Sequence, residues 1–437
     1  MTGPVCQQVI GPASAGRWLA LFAGIVLSSC GAKQPISQQT SVVLTTTPLI
    51  ENESLDAERE YMRTFAHDTG IGVRLIPNRE SATDRLEVYR GYFREHSPEP
   101  DVLTLDFVWP GVLVDDLLDL NPWLGDLAKL PFPELIRNGT VHGRLVALPL
   151  VSYVGLLYYR SDLLAEYGFS HPPRSWAELE RMAGRIQAGE RRKGHSAFWG
   201  YVWQGDAYEG LTCNAMEWQG IEGGGRIIEQ DGSVVVNNRV AEEAWERAAR
   251  WVGSISPPSV VEYKEKDADN VFEVGNAAFL RTWSGWRTAD THTRGRVGAT
   301  TLPRGGVIGG GGLGISRYSK HPREAAAFIR FFTGNPAESR VKLANGLPTM
   351  PSLQSGPVPS EGAHPPDHIQ SMPANSFSRP SAVSGPNYDP VSRSYFLAVH
   401  SVLKREMTAA QALAALEKEL SRIPGLRLPA RRSIDPR

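Results

Sequence analysis

The feature that most constrains the fold is a regular alternation of strand and helix patterns over residues 42–106. Apolar runs typical of strands occur at 42–46, in GVRLIP and at 101–106, and the two segments between them have the apolar periodicity of amphipathic helices. This order favours a parallel sheet with right-handed crossovers, and therefore an α/β fold. Ligands of such sheets bind beyond the carboxyl ends of the strands, so the loops 46–54 and 106–109 are predicted to border a ligand cleft.

The length of the chain predicts more than one domain. At 437 residues it is long for a single hydrophobic core, and two domains are expected. The extended run RLVALPLVSYVGLLYYR is typical of a chain that leaves one lobe and enters another. Strand and helix patterns alternate again after it, so both lobes are predicted to be α/β. Residues 348–390, rich in Pro, Ser and Gly, predict a surface segment with little regular structure, and two helices follow near 392–406 and 408–423.

The N-terminal residues have a pattern of export. The uncharged apolar run 18–29 is shorter than the about 20 residues that span a bilayer, and has the length of a signal-peptide core. The sequence LSSC at 27–30 resembles the lipobox of bacterial lipoproteins, whose cysteine is lipidated and becomes the mature N-terminus. We expect a signal peptide at 1–29, lipidation of Cys30 and a flexible, membrane-anchored linker at 30–41. An ordinary signal peptide with a chance cysteine is the alternative.

Composition and charge describe an ordinary globular protein after this segment. Hydrophobic residues make up 41% of the chain and charged residues 21%, and no other apolar run is long enough to cross a bilayer. The net charge of −1 provides no broad basic field, so no nucleic-acid partner is expected, and the basic tail 425–437 is interpreted as solvated. Cys213 would be the one cysteine left in the folded part, which predicts a buried, inert thiol and no intrachain disulfide.

Motifs of several enzyme classes are missing from the sequence. The ten histidines are dispersed, and neither a nucleophile elbow nor a Walker loop occurs, so no metal and no cofactor are expected. The run 309–314 matches G-x-G-x-x-G, but its glycines lead into an apolar strand at 313–316 instead of a helix, which argues against a dinucleotide site. Carboxylate pairs of glycosidase type stay open, because several acidic residues could lie near one cleft: Glu51, Glu53, Asp106, Asp206 and Glu209.

Aromatic residues are unusually numerous beside turn residues. The chain has 11 Trp and 13 Tyr. Trp109 precedes a proline, Tyr208 follows a Gly-containing aromatic stretch, and Trp283 and Trp286 flank Ser-Gly. Aromatic rings in such places often line a cleft, although filling of the core is the alternative for any single tryptophan.

Six segments in chain order carry a resemblance to a known family: LTLDFVWPG, GRLVALPLVSYVGLLYYRSDLL, WGYVWQGDAYEGLTCNAMEW, NAAFLRTWSGW, GGLGISRYSKHPREAAAFIRFF and GLPTMPSL. They resemble the extracellular solute-binding proteins (family 1) of ABC importers, in the carbohydrate-binding branch with maltose- and trehalose/maltose-binding proteins. The likeness covers almost all of residues 42–420. Many such receptors are lipoproteins, which agrees with the expected lipidation of Cys30.

The resemblance implies a two-lobe periplasmic-binding-protein fold (type II, maltose-binding-protein-like) with a hinge and an interlobe cleft. Lobe 1 would comprise 42–150 with 309–350, and lobe 2 would comprise 151–308 with 351–424. The chain would cross between the lobes near 149–152, 303–309 and 347–351.

The resemblance also implies a set of ligand-binding residues: Asp106 and Trp109 from one lobe, Tyr208, Glu209 and Trp283 from the other, and Glu51 or Glu53 from the first loop. Aromatic faces match the apolar side of a pyranose ring, and ionised carboxylates accept hydrogen bonds from its hydroxyls. Three ligand positions depart from the family pattern. Tyr153 stands where the family often has an acidic residue in the hinge strand, and Gly311 stands where it often has an aromatic residue in the glycine run. Met350 stands where a basic residue is common in the Leu-Pro-Thr-Arg segment. These departures argue against maltose or trehalose as the ligand.

The function expected from these residues is that of a lipid-anchored, extracytoplasmic, monomeric receptor. It would bind a carbohydrate, of di- or oligosaccharide size, and deliver it to the transmembrane subunits of an ABC permease. Because transport binding breaks no bond, the protein is not expected to be an enzyme. A secreted glycan-processing enzyme with two cleft carboxylates and a sensory binding module without a permease are the alternatives.

Overall fold

The central feature of the computed structural model is a long sheet that runs through both halves of the molecule. The structure describes residues 43–48, 55–77, 81–131, 133–220, 225–286, 293, 295–334 and 373–429. The predicted signal peptide, the lipidation site Cys30, the linker, and the predicted ligand residues Glu51, Glu53 and Met350 lie outside them.

Ten strands form in the described residues: β1 Val43–Thr46, β2 Gly72–Leu75, β3 Val102–Asp106, β4 Thr140–Val141, β5 Arg144–Leu145, β6 Leu148–Arg160, β7 Trp199–Val202, β8 Ala277–Trp283, β9 Val297–Thr301 and β10 Ile308–Ile315. An eight-stranded sheet has the order β2-β1-β3-β10-β6-β8-β7, with β9 also paired to β6, and β4 and β5 form a separate pair. β1 is parallel to β2 and β3, as the alternating pattern predicts. β10 joins this group antiparallel to β3.

β6 divides the sheet into two halves. Its residues 148–154 pair with β10, and its residues 155–160 pair with β8 and β9. We call the part formed by β1, β2, β3, β10 and the start of β6 the N-terminal half sheet. The end of β6, with β7, β8 and β9, is the C-terminal half sheet.

Helices cover both half sheets: α1 Leu55–Thr69, α2 Ala82–Arg94, α3 Pro110–Leu113, α4 Asn121–Leu124, α5 Pro133–Gly139, α6 Ser161–Glu166, α7 Trp176–Arg192, α8 Glu209–Gln219, α9 Arg239–Trp251, α10 Glu265–Glu273, α11 Pro322–Gly334, α12 Ser381–Ser384, α13 Tyr388–Leu403 and α14 Ala409–Leu420. Their starts follow local capping chemistry. Ser81 caps α2 and Ser175 caps α7, each accepting a hydrogen bond from a backbone N–H of the first turn. None of the helices within the described residues is long and apolar enough to cross a bilayer.

The cores of the two halves differ in composition. Phe65, Phe328 and Phe332 pack in the N-terminal half against Leu and Ile side chains. The core of the C-terminal half contains tryptophans in edge-to-face contact, with ring centroids 5.0 Å apart for Trp203 and Trp218. For these tryptophans the core alternative is confirmed. Cys213 lies in the same core and is buried and free, as predicted.

The glycine run 309–314 lies inside strand β10. The predicted strand at 313–316 was therefore wrong in its start, because the strand already includes the glycines. β10 begins at Ile308, and its glycines lie opposite β3 and β6. A Cβ at Gly311 would overlap the carbonyl oxygen of Leu105, so glycine is what allows β10 to approach β3. The prediction that the glycines permit close backbone approach is therefore confirmed.

The described C-terminal residues pair with the start of β10 and then pack on the C-terminal half. The Ile308 N–H donates to the Phe377 carbonyl (2.8 Å) and the Phe377 N–H to the Gly306 carbonyl (3.1 Å), so this segment runs beside the start of β10. The predicted crossing at 347–351 lies outside the described residues. α13 and α14 then pack on α8 and α9, and α13 begins at Tyr388, earlier than predicted.

The start of the basic tail is folded, contrary to the prediction that the whole tail is solvated. The Arg427 N–H donates to the Gly232 carbonyl (3.1 Å), and its guanidinium lies 2.7 Å from the Asp231 carboxylate. Backbone pairing with a turn of the C-terminal half therefore holds these residues in place.

Candidate functional site

Predicted site residues from the two halves meet where β3 ends and α8 begins. The Glu209 N–H, at the start of α8, donates to the Thr83 hydroxyl in the first turn of α2 (3.2 Å). The Lys264 ammonium lies 3.8 Å from both Asp84 of α2 and Asp206 before α8. We call the α2 start and the β3 end the N-terminal wall of the candidate cleft, and the α8 start, the α10 start and the β8 end its C-terminal wall.

A single arginine holds the two predicted ligand carboxylates. Arg379 donates from Nη2 to Asp106 Oδ1 and from Nη1 to Glu209 Oε1, both at 2.7 Å. Its side chain is 2% exposed. Arginine suits this place because its planar guanidinium offers several donors in a fixed geometry.

Glu209 has both carboxylate oxygens occupied. Oε1 accepts from Arg379 and from the Tyr388 hydroxyl, and Oε2 accepts from the Ser392 hydroxyl at 2.6 Å. Burial raises the pKa of the Glu209 carboxyl above its usual range, and the Arg379 charge opposes that shift. The same burial with the Glu209 charge raises the pKa of Tyr388 well above normal, so Tyr388 stays a neutral donor. Each oxygen of Glu209 therefore has at least one donor within the protein.

Asp106 keeps one oxygen open. Oδ1 accepts from Arg379 and from the Val108 N–H (3.2 Å), and no donor from the described residues reaches Oδ2. The side chain is 13% exposed. Asp106 can therefore accept a hydrogen bond from a ligand while Arg379 holds it.

A carboxylate of α10 connects the two aromatic residues of the C-terminal wall. Glu265 accepts from the Tyr208 hydroxyl at 2.7 Å through Oε2 and from the Trp283 indole N–H at 3.4 Å through Oε1. The neighbouring Lys264 ammonium lies 5.7 Å from the centre of the Tyr208 ring. Burial and the Glu265 charge raise the pKa of Tyr208 well above normal, which keeps its hydroxyl protonated.

The half-buried Trp283 packs against the arginine of a buried ion pair. The Arg281 guanidinium lies 4.2 Å from the centre of the Trp283 ring. Arg281 forms two hydrogen bonds to the Glu217 carboxylate, at 2.6 and 2.7 Å, and one to the Gln204 amide oxygen. A Cβ at Gly309 would lie 2.6 Å from the Trp283 ring, so the β10 backbone also packs against it. These contacts hold the indole in one orientation.

The other predicted ligand residues have different surroundings. Trp109 is 2% exposed and packs edge-to-face on Tyr89 of α2, with centroids 5.6 Å apart, as a core side chain. Gly311 is buried and lies opposite Asp106 in the strand pairing, where an aromatic side chain would not fit. Half-buried Tyr153 lies in β6, opposite Gly309, where the pairing of β6 changes partner.

Four further residues contact the predicted ones in the candidate cleft, although the sequence pattern did not single them out: Arg379, Lys264, Glu265 and Thr83. Lys264 and Glu265 stand at the start of α10, directly after Tyr263. An aromatic residue next to charged residues could have marked this segment as part of a ligand site. No local signal identifies Arg379, which stands in a Pro/Ser-rich segment 273 residues from Asp106. No cluster of His, Cys, Asp or Glu suited to a metal ion occurs among the described residues.

The sequence matches a known family over most of its length. The family described as bacterial extracellular solute-binding protein matches residues 60–366. A probable ABC transporter-binding protein of Deinococcus radiodurans is 36% identical over 406 residues, which cover 89% of this chain and 95% of that protein. The maltodextrin-binding protein MdxE of Bacillus subtilis is 24% identical over 325 residues, covering 71% and 74%.

Solved structures show the same architecture. The maltose-bound MalE3 of T. maritima has a TM-score of 0.80 at 30% identity, over 87% of this chain and 99% of that one. The GacH receptor of Streptomyces glaucescens has a TM-score of 0.74 at 18% identity, over 88% and 98%, and this likeness shows the fold alone. The predicted α/β fold of the maltose-binding type is confirmed.

Proposed function

The chain belongs to the family of bacterial extracellular solute-binding proteins, and we propose on this premise that it binds a carbohydrate reversibly between two lobes and delivers it to the transmembrane subunits of an ABC importer. The predicted family is confirmed by the match and by the Deinococcus relative. A sugar ligand is supported by two similar proteins: the MalE3 structure is maltose-bound, and MdxE is a maltodextrin-binding protein.

One observation of the site carries the proposal. The C-terminal wall joins two aromatic side chains, Tyr208 and Trp283, through the carboxylate of Glu265. An aromatic face beside fixed acceptors suits a pyranose, which has an apolar side and a rim of hydroxyls. Asp106 on the opposite wall adds an acceptor with one open oxygen. A sugar that contacts both walls would favour the closed arrangement of the lobes.

The lobes are proposed with the boundaries given by the resemblance, 42–150 with 309–350 and 151–308 with 351–424. The change of pairing partner in β6 after Val154 supports the first boundary. The segment around Phe377 lies beside the start of β10 and supports a third crossing there. Limited proteolysis with and without sugar tests this division, because closure should protect the crossing segments. Equal cleavage in both states at these segments would contradict it.

A receptor role needs no bond cleavage, and the geometry of the carboxylates supports binding. Both oxygens of Glu209 already accept hydrogen bonds from Arg379, Tyr388 and Ser392, which leaves this carboxylate poorly placed to act as a nucleophile or a general base. The pair Asp106 and Glu209 therefore lends no support to the glycan-processing alternative. The proposal needs no metal or cofactor.

Membership in an extracellular family implies a periplasmic or cell-surface location. Lipid anchoring at Cys30 is part of the proposal and is supported by the LSSC pattern after the apolar run. Changing Cys30 to Ser should move the protein from the membrane fraction to the soluble fraction. If the variant stays with the membranes, the anchor lies elsewhere.

The test of the function is a titration of intrinsic tryptophan fluorescence in the protein that begins at Gly31. The ligands are maltose, maltotriose, trehalose, mannitol, a glycerophosphodiester and a short peptide. A saturable response to one sugar class, with the sugar recovered uncleaved, is the expected result. A response to the phosphodiester or peptide with none to sugars would overturn the carbohydrate assignment, and release of reducing sugar would favour an enzyme.

A further inference from the structure

We propose that Arg379 is a positioning residue of the ligand site: it holds one oxygen of Asp106, leaves the other for a sugar hydroxyl, and removes Glu209 from ligand binding. This inference rests on the proposed function, because it states which of two predicted carboxylates would contact the sugar.

The geometry fixes both carboxylates relative to one rigid group. Two donors of the same guanidinium, Nη1 and Nη2, each lie 2.7 Å from a carboxylate oxygen, one on Glu209 and one on Asp106. Because the guanidinium is planar and buried, neither carboxylate can rotate without breaking a charged hydrogen bond.

The two carboxylates differ in what remains free. Arg379, Tyr388 and Ser392 donate to both oxygens of Glu209, whose side chain is 12% exposed, close to the 13% of Asp106, so the two carboxylates differ in their donors and not in their exposure. Asp106 uses only Oδ1, which also accepts from the Val108 N–H, and no described donor reaches Oδ2. Asp106 therefore has a carboxylate oxygen without a donor from the described residues, whereas each oxygen of Glu209 has at least one.

The position of Arg379 joins the two halves of the molecule. Asp106 ends β3 of the N-terminal half sheet, and Glu209 begins α8 of the other half. Arg379 follows Phe377, whose backbone pairs with residues 306 and 308 at the crossing between the halves. Without the guanidinium, two acidic groups would face each other in a poorly solvated place, and Asp106 would turn away.

The experiment compares Arg379→Gln with Arg160→Gln as a matched control. Arg160 is also a buried arginine, paired with Asp162 through hydrogen bonds of 2.8 and 2.7 Å, but it lies at the far end of β6. Hydrogen exchange is followed by mass spectrometry in the ligand-free protein, in peptides that contain the Val108 amide. The sugar panel is then titrated with each variant.

In Arg379→Gln, exchange at Val108 should become roughly tenfold faster, and the Kd of the best panel sugar should rise roughly 10- to 100-fold, as expected for loss of a charged hydrogen bond. Arg160→Gln should change neither. Unchanged exchange at Val108, unchanged affinity, or an equal rise in exchange throughout the protein overturns the inference. If Arg379→Gln does not fold, Arg379→Lys is measured in the same way. It keeps the positive charge but lacks the planar pair of donors, so exchange at Val108 and the Kd should change in the same directions.

The two proposals fail differently. If the wild-type protein binds no sugar of the panel, the proposed function fails, and the use of Asp106 as a sugar acceptor fails with it. The exchange measurement still decides whether Arg379 holds Asp106.

Discussion

The two walls of the candidate cleft use their aromatic residues in different ways. In the N-terminal wall, Trp109 is buried against Tyr89, and the polar groups that face the other wall are the Asp106 carboxylate and the Thr83 hydroxyl. In the C-terminal wall, Trp283 is half-buried and a Glu265 carboxylate connects it with Tyr208. With the proposed function, this difference leads us to expect that the C-terminal wall supplies the stacking surface for a sugar and the N-terminal wall supplies hydrogen-bond acceptors.

The largest expected effect concerns Trp109. Trp109→Ala removes a buried ring that packs on Tyr89 and lies 5.5 Å from the Arg85 guanidinium, so the free energy of unfolding should fall by about 3–5 kcal/mol. Urea unfolding measures this change. A variant that keeps its stability but loses sugar affinity would place Trp109 at the ligand and remove the contrast between the walls.

Trp283 should show the opposite behaviour. Trp283→Ala removes the proposed stacking surface, so the Kd for sugar should rise roughly 10- to 100-fold, with a smaller loss of stability than Trp109→Ala. Trp123→Ala is the matched control, because Trp123 is also half-buried but packs on the core of the N-terminal half. Isothermal titration of both variants gives the comparison, and equal affinities for the two would exclude Trp283 from the site.

The sequence predicted the architecture better than the site. Strand and helix periodicity is local, so the parallel group β1, β2 and β3 could be predicted from residues 42–106. The partners of Glu209 could not be predicted, because Arg379 is 170 residues away and reaches it only through tertiary packing. Trp109 precedes a proline as a cleft aromatic often does, but α2 places Tyr89 against it, and sequence pattern does not contain that contact.

A pH-dependent effect would sharpen the description of the C-terminal wall. Asp269 of α10 has a buried Oδ1 without a hydrogen-bond partner. Burial and the charges of Glu265 and Glu273 raise the pKa of Asp269 well above its usual range, against the opposing effects of Thr282 and Arg281. A raised pKa of a carboxyl in the folded state means that stability is lost as the pH rises from the unfolded pKa, near 4, through the folded pKa.

Asp269→Asn should therefore stabilise the protein at pH 7 and have little effect at pH 3.5. The gain should grow as the pH rises from the unfolded pKa toward the folded pKa and should level off above both. Thermal unfolding of wild type and variant at the two pH values measures it. A variant that is less stable at pH 7 would show that the ionised Asp269 is favourably paired.

The smallest expected effect concerns the direct charge contact between the walls. The Lys264 ammonium lies 3.8 Å from Asp84 of the N-terminal wall and 3.8 Å from Asp206 of its own wall, and its side chain is 39% exposed. Exposed ion pairs of this kind contribute about 0–1 kcal/mol and are screened by salt. Lys264→Met should therefore weaken sugar binding by roughly fivefold at most at low ionic strength, and by less in 0.5 M salt.

Lys266→Met is the control, because Lys266 is an exposed lysine two residues further along α10. A loss that is large and independent of salt would show that Lys264 binds the sugar itself, and the C-terminal wall would then supply a cation as well as the stacking surface.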